Sequence, residues 1–376
     1  MARRILMVVN HAGFFLTHRL ALAVAARERG YEVHLATPQS KHVPAIEASG
    51  LGWHPVRLTR SGTNPFAELR AVSDLISLYR RLRPALVHHV TTKPVLYGTA
   101  AARIARVPAV VNALAGLGHL SLADDLFHRV LRGGVRLGFK AVLRHRNMRV
   151  IFQNEDDRAA FVDRGILAPR ETVLVPGSGV DPELFRPANR PRGNPPVVVL
   201  PSRMLYTKGV AEFVGAARIL AAQGVAARFV LVGEPDPDNP ASIPAWQLSR
   251  WASEGAVEWQ HRRDDMPAVY AESDIVVLPS YREGMPKVLI EAGACGLPAV
   301  TTDVPGCRDV VEHERSGLLV PERDQGRELA KAIVRLLRDE ELSRSMGRRG
   351  RELVLERFAL SRIIDQTLSL YGELIG

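Results

Sequence analysis

A chain of 376 residues that is 46% hydrophobic and 24% charged has the composition of an ordinary soluble globular protein and enough length for two domains with separate cores. Its two cysteines, Cys295 and Cys307, are too few for a disulfide framework; they suit a reducing compartment and read as small buried apolar residues. The net charge of +10 divides unevenly: residues 1–195 carry 28 Lys+Arg against 14 Asp+Glu (+14), residues 196–376 carry 22 against 26 (−4), so nucleic acid, an anionic membrane and a phosphate-bearing substrate all fit the basic half.

In chain order, Arg3 and Arg4 precede the apolar run ILMVV, but Asn10, His11, Thr17, His18 and Arg19 interrupt it, so no signal-peptide apolar region forms. RRILMVVN reads as a strand, THRLALAVAARERG as a helix ending at Gly30, and YEVHLAT as the next strand. LVHHV, AVVNAL and VIFQN continue the alternation, with His88 and His89 on opposite faces of their strand and read as structural. The longest apolar candidate for a membrane span, Val107 to Gly118, has twelve residues and contains Pro108, Asn112 and two glycines, which rules out a span there.

Residues 182–196, PELFRPANRPRGNPP, hold five prolines in fifteen positions and read as a linker. Beyond it VVVLPSR, the helical GVAEFVGAARILAAQG closed by Gly224, and ARFVLVG repeat the opening pattern, followed by the strands IVVLPS, PAVTT and GLLVP. Short apolar strands alternating with helices predict an α/β chain of two doubly wound Rossmann-like domains, residues 1–181 and 197–355, facing a central cleft. Residues 356–376 are expected to form a C-terminal helix packing back toward the N-terminal domain. Ligands of such sheets bind at the carboxyl ends of the strands.

The loops expected at those ends carry charged groups. After VVVL comes PSRMLYTKG, placing Arg203 and Lys208 just before a helix, where two cations and a helix N-terminus can neutralise a diphosphate. After IVVLPS comes YREGMPKVLIEAGACG, in which Pro286 fits the first helical turn and Glu291 follows about 7 Å further along the axis. Its neighbours Val288, Leu289 and Ile290 are apolar, so a carboxylate there needs a partner, either Lys287 or a ligand hydroxyl. Asp236-Pro-Asp238 copies a D-x-D metal motif only superficially, because it lies in a Pro-rich loop read as surface; no metal is expected.

SRMLYTKG, VGE, LPSYREGMPKVLIEAGACGLPAVTTDVPGCRDVV and SGLLVPERD, in that order over most of residues 197–330, resemble the nucleotide-sugar domain of retaining GT-B glycosyltransferases marked by an E-x7-E motif, here Glu283 and Glu291. The resemblance implies that Arg203 and Lys208 hold the donor diphosphate and stabilise it as a leaving group. It also implies that Glu291 binds the ribose, and that Glu283 contacts the transferred sugar with the amides of Gly284 and Met285. Retention would follow from same-face attack with charge stabilisation dominant. The two glutamates do not look like the flanking carboxylate pair of a hydrolase, since both belong to one helix entrance. AVEWQH, with His261, departs from the glycine usual at that position, and UDP is the expected nucleotide.

In the first half, NHAGFFLTHRLALAVAARERGYEV, TTKPVLYGT and NALAGLGHL resemble a narrower group, bacterial transferases that add N-acetylhexosamine to undecaprenyl-diphosphate-linked sugars. His119, after Gly116-Leu-Gly118, would stand near the reacting sugar as a catalytic candidate. Gly13 would let the backbone approach the donor phosphate. His18, Arg19 and Lys93 would face the acceptor diphosphate. Between Asp124 and Arg149 there are seven Arg or Lys and two acidic residues, and Arg129, Arg132, Arg136, Lys140 and Arg144 recur at helical spacing beside Phe127, Val130, Leu131, Val135, Phe139 and Val142. Such a basic amphipathic segment suits an anionic lipid surface, with Arg129, Arg132, Arg136 and Lys140 facing the membrane, although Gly133, Gly134 and Gly138 weaken the helix.

The expected activity is therefore a metal-independent retaining hexosyltransferase, needing no cofactor beyond its UDP-sugar donor substrate. It would act on a polyprenyl-diphosphate-linked saccharide in cell-surface glycan or glycoprotein glycan assembly, from the cytoplasm and peripherally on the inner face of the cell membrane. The alternatives are a soluble GT-B transferase acting on a small molecule or polysaccharide, and a GT-B nucleotide-sugar epimerase, which would convert its donor with no acceptor present. Nucleic acid is not expected as a partner, since no recognised binding motif accompanies the basic half.

Overall fold

The computed structural model describes residues 3–59, 64–114, 138–323 and 326–376. The chain divides into two compact units, one of Met1–Ser178 with Arg362–Gly376 and one of Gly179–Ser361.

The first unit is built on seven strands: β1 (Arg4–Val9), β2 (Glu32–Thr37), β3 (Gly52–Pro55), β4 (Leu86–Val90), β5 (Ala109–Leu114), β6 (Met148–Phe152) and β7 (Thr172–Leu174). They pair in the order β3-β2-β1-β4-β5-β6-β7, and every pairing is parallel. The order reverses beside β1, which makes the sheet doubly wound. Strand alternation explains why β1 can be apolar throughout: Ile5, Met7 and Val9 enter one core, and Leu6 and Val8 the core on the opposite face. Helices Leu20–Glu28, Pro65–Leu82 and Thr92–Ala105 form around this sheet, the second started by Asn64, whose side chain accepts from the Phe66 and Ala67 amides.

His88 and His89 on β4 are fully buried. His89 contacts the Tyr79 hydroxyl at 2.9 Å and Asn112 Oδ1 at 2.7 Å, while His88 Nδ1 meets the Tyr371 hydroxyl at 2.5 Å. Burial holds both imidazoles below their ordinary pKa, His89 at about 4, so both are neutral at physiological pH. Tyr371 belongs to the terminal helix Leu360–Ile375, whose Ile363, Leu368, Leu370 and Leu374 pack into the core beneath β1.

The second unit repeats the plan with six strands: β8 (Val197–Pro201), β9 (Arg228–Val232), β10 (Glu258–Gln260), β11 (Ile275–Leu278), β12 (Ala299–Thr302) and β13 (Gly317–Val320). They are ordered β10-β9-β8-β11-β12-β13, again with parallel pairings only. Val198, Leu200, Ile275 and Val277 face one core, and Val199, Val276 and Leu278 the other.

The Pro-rich stretch 182–196, read from composition as a linker, is instead part of the second unit. Phe185 is buried in that unit's core, and Arg190 donates to the Ser273 carbonyl at 2.7 Å and pairs with Asp274 at 3.1 Å. Proline abundance reflects a chain with few backbone donors, held here by side chains. Among the described residues no helix is long and apolar enough to cross a membrane.

Candidate active site

The carboxyl ends of β8 and β11 are adjacent because those strands pair directly, so the loops that follow them meet. The Tyr281 amide donates to the Thr207 carbonyl at 3.0 Å, and the Ser280 hydroxyl reaches the same oxygen at 3.1 Å. Between Lys208 and the helix Val210–Ala222 stands Gly209 with φ of 71°, and a Cβ there would lie 2.1 Å from the Pro279 carbonyl oxygen. Only glycine permits that approach in that conformation. Its consequence is chemical: Lys208 Nζ donates to Glu283 Oε1 in a close ion pair whose side chains are only 20% and 11% exposed.

Glu283 is fixed from the other side as well. Its amide donates to the Pro305 carbonyl at 3.3 Å, and Gly306, φ 82°, packs so tightly that a Cβ would come within 2.6 Å of the Glu283 carbonyl oxygen. Thr301 Oγ1 donates to the Leu278 carbonyl at 2.6 Å and Thr302 Oγ1 to that of Ser280, tying the β12 end to this loop. Gly284 and Met285 lead from Glu283 into the helix Lys287–Ala294, whose preceding Pro286 supplies no side-chain cap. The Pro286 carbonyl accepts from the Leu289 amide at 3.1 Å, closing the first turn of that helix.

Glu291 lies on the same helix and is buried. Lys287 Nζ stands 3.3 Å from Oε1, and the Tyr270 hydroxyl donates to Oε2 at 2.8 Å. Lys287 is thus a partner of the carboxylate, as its spacing allowed, but Tyr270 was not legible. It lies twenty-one positions earlier, on the helix Met266–Ala271, and only tertiary packing brings it there. Desolvation by burial raises the Glu291 pKa above the ordinary carboxylate value, with Lys287 and Tyr270 opposing the shift. Nearby thiols respond similarly: burial, with Glu291 adding, pushes Cys295 up to about 12, and burial, with Glu283 adding, does the same to Cys307. Neither is a thiolate nucleophile.

Arg203 lies in the β8 loop and donates Nη1 to Asp236 Oδ2 at 2.7 Å. This corrects the reading of Asp236 as a residue of a surface loop: it is 9% exposed and ion-paired. Its segment pairs with the Arg203 loop through the Leu205–Ser242 bridge. At the β9 and β10 ends, Glu234 Oε1 stands 2.9 Å from His261 Nδ1, and Trp259 Nε1 donates to the Gly233 carbonyl at 2.9 Å. Among the described residues no group of three or more His, Cys, Asp or Glu could hold a metal ion.

The first unit does not gather its candidates in this way. Gly13 lies in the first turn of the helix Ala12–His18, where a Cβ would sit 3.0 Å from His11 and 3.1 Å from His42. His18 stacks on Phe14 with ring centroids 4.2 Å apart, its Nδ1 2.7 Å from Thr17 Oγ1. Lys93 donates to Glu68 at 2.6 Å and to Thr59 at 3.1 Å. Arg19, expected to face a diphosphate, is buried at 6% exposure, and desolvation lowers its pKa. His119, Arg129, Arg132 and Arg136 lie outside the described residues. Lys140 is half-buried beside Phe139, which packs into the core against Phe161 at 5.3 Å between centroids.

Residues 4–154 match the glycosyl transferase 4-like family and residues 195–339 the family of glycosyl transferases group 1. The chain is 27% identical over 98% of both chains to a Campylobacter jejuni enzyme, N,N'-diacetylbacillosaminyl-diphospho-undecaprenol alpha-1,3-N-acetylgalactosaminyltransferase. It is 26% identical, over 82% of this chain and 81% of the other, to an Escherichia coli enzyme, UDP-Gal:alpha-D-GlcNAc-diphosphoundecaprenol alpha-1,3-galactosyltransferase. In structure it resembles Anabaena HepE in complex with UDP, with a TM-score of 0.78, 20% identity and coverage of 99% and 100% of the two chains. Sucrose-phosphate synthase of Thermosynechococcus elongatus gives a TM-score of 0.79 at 23% identity over 99% of each chain. Two doubly wound parallel sheets, two consecutive glycosyltransferase domain matches and full-length structural likeness lead to one conclusion: the chain has the GT-B fold, a glycosyl transferase 4-like domain followed by a glycosyl transferases group 1 domain.

Proposed function

We propose that this glycosyltransferase moves a sugar, an N-acetylhexosamine, from a UDP-sugar to a polyprenyl-diphosphate-linked saccharide with retention and without a metal. The observation that carries the reading is the meeting of Lys208 with Glu283 at the adjacent ends of β8 and β11, with Arg203 on the same β8 loop.

Each charged group has a role. Lys208 exchanges its carboxylate for a phosphate oxygen when the donor enters, and Arg203 adds a second cation, so charge developing on the departing diphosphate is met by fixed positive groups. Glu283, released from Lys208, accepts hydrogen bonds from sugar hydroxyls, assisted by the Gly284 and Met285 amides. Glu291, held by Tyr270 and Lys287, accepts the ribose hydroxyls. The anomeric carbon-to-phosphate oxygen bond breaks as the acceptor hydroxyl attacks the same face, and the hydroxyl proton passes to the departing phosphate oxygen.

The lipid-linked acceptor rests on the chemistry named for the Campylobacter jejuni and Escherichia coli relatives and on the basic excess of residues 1–195. In this reading the protein works peripherally on the cytoplasmic face of the membrane, touching anionic lipid through Arg129, Arg132, Arg136 and Lys140. His18, Lys93, Gly13 and His119 serve acceptor and donor as the family resemblance implies, whereas the buried Arg19 does not.

The test is incubation with a panel of UDP-sugars and short polyprenyl-diphosphate saccharides, reading the product by mass and its new linkage by NMR. The expected product is one hexosamine longer and keeps the donor's anomeric configuration. Inversion, transfer only to soluble sugars, or conversion of the UDP-sugar without acceptor would each refute the reading.

A further inference from the structure

We propose that Asp236 is a positioning residue for the donor diphosphate: it anchors the guanidinium of Arg203 through Nη1 and presents that side chain's remaining donors to phosphate. The inference rests on the donor reading above and adds a residue to it.

Arg203 is 52% exposed whereas Asp236 is only 10% exposed at the side chain. An arginine that open has rotamer entropy to lose when a ligand fixes it. The structure fixes it beforehand. Asp236 does not move freely: its amide donates to Ser242 Oγ at 2.9 Å, its carbonyl accepts from the Asn239 amide at 2.8 Å, and Asn239 Oδ1 accepts from the Ala241 amide at 3.0 Å. This loop is stitched to the Arg203 loop by backbone bonds from Met204 to Glu234 (3.0 Å), Tyr206 to Ala241 (2.9 Å) and Ile243 to Met204 (2.9 Å). A rigid acid therefore grips one end of the guanidinium, and among the described residues Nε and Nη2 make no hydrogen bond. Those two form the edge that binds a phosphate in fork geometry.

The opposite possibility has a different sign. If Asp236 merely competed with phosphate for Arg203, removing its charge would tighten diphosphate binding.

Calorimetric titration of UDP and of uridine into the wild-type chain, Asp236→Ala, Asp236→Asn, Arg203→Ala and the double Arg203→Ala/Asp236→Ala variant decides between them. Loss of pre-organisation predicts that Asp236→Ala weakens UDP by about tenfold and leaves uridine unchanged. Asp236→Asn, which keeps an acceptor oxygen, recovers most of the affinity. In the Arg203→Ala background, Asp236→Ala has no further effect. Unchanged or tighter UDP binding by Asp236→Ala, an equal loss for uridine, or a loss that persists without Arg203 would overturn the proposal. Failure of the wild-type chain to bind UDP at all would bring down the donor reading and this inference with it.

Discussion

The two units share one architecture and treat their charged residues in opposite ways. In the second, Lys208, Glu283, Arg203, Asp236, Lys287 and Glu291 form three ion pairs at the carboxyl side of one sheet. In the first, His18 stacks on its own helix, Lys93 pairs with Glu68, and Arg19 is buried. Under the proposed function, the contrast follows from what each unit would recognise, the donor in the second and the acceptor in the first. A nucleotide diphosphate presents the same charges and hydroxyls to any enzyme that uses it, so its site can be built from contiguous loops. An acceptor saccharide, even one linked to a diphosphate, presents its hydroxyls in places that vary between enzymes, and the residues that read those sugars need not cluster in sequence or carry charge.

That contrast can be broken by substitution. Lys208→Ala, which removes the cation proposed to stand opposite the leaving group, is expected to lower turnover by about a hundredfold or more while circular dichroism stays unchanged; near-normal turnover would show that the ion pair is only structural. Tyr270→Phe takes one hydrogen bond from a buried carboxylate, and donor affinity measured by calorimetry should fall by about tenfold.

Glu291→Gln should separate activity from stability. The folded pKa of Glu291 is raised by burial, so wild-type stability is favoured while the carboxyl is protonated and declines as pH rises from the ordinary glutamate range through the folded pKa. The variant lacks that decline, so its Tm relative to wild type should be highest near pH 8 and fall as pH approaches 4, while its donor affinity is lower. A Tm difference independent of pH would contradict this assignment. The smallest effect on function belongs to the first unit. Tyr371→Phe strands the buried His88 and should cost about 1–3 kcal/mol of stability, seen as a lower Tm with UDP binding untouched.

Much of this was legible in the chain itself. Runs such as ILMVV and VVVL name their own strands because a parallel sheet covered on both faces demands apolar residues at every position. Lys208 and Glu283 were recognisable from their place after such strands. What escaped was whatever depends on distance in sequence or on a sheet's edge. Gly52–Pro55 and Thr172–Leu174 are short edge strands with little apolar signal. Tyr270 reaches Glu291, and Asp236 reaches Arg203, only after the sheet has assembled. The prolines of 182–196 announced an irregular chain correctly but said nothing of Arg190 and Phe185, which bind it to the second unit.

The most direct test of the donor site is calorimetric titration of UDP and uridine into wild type, Glu291→Ala and Lys208→Ala. With Glu291 serving the ribose and Lys208 the diphosphate, Glu291→Ala should lose affinity for both ligands, whereas Lys208→Ala should lose affinity for UDP and keep that for uridine. Wild-type affinities in both variants would contradict the account.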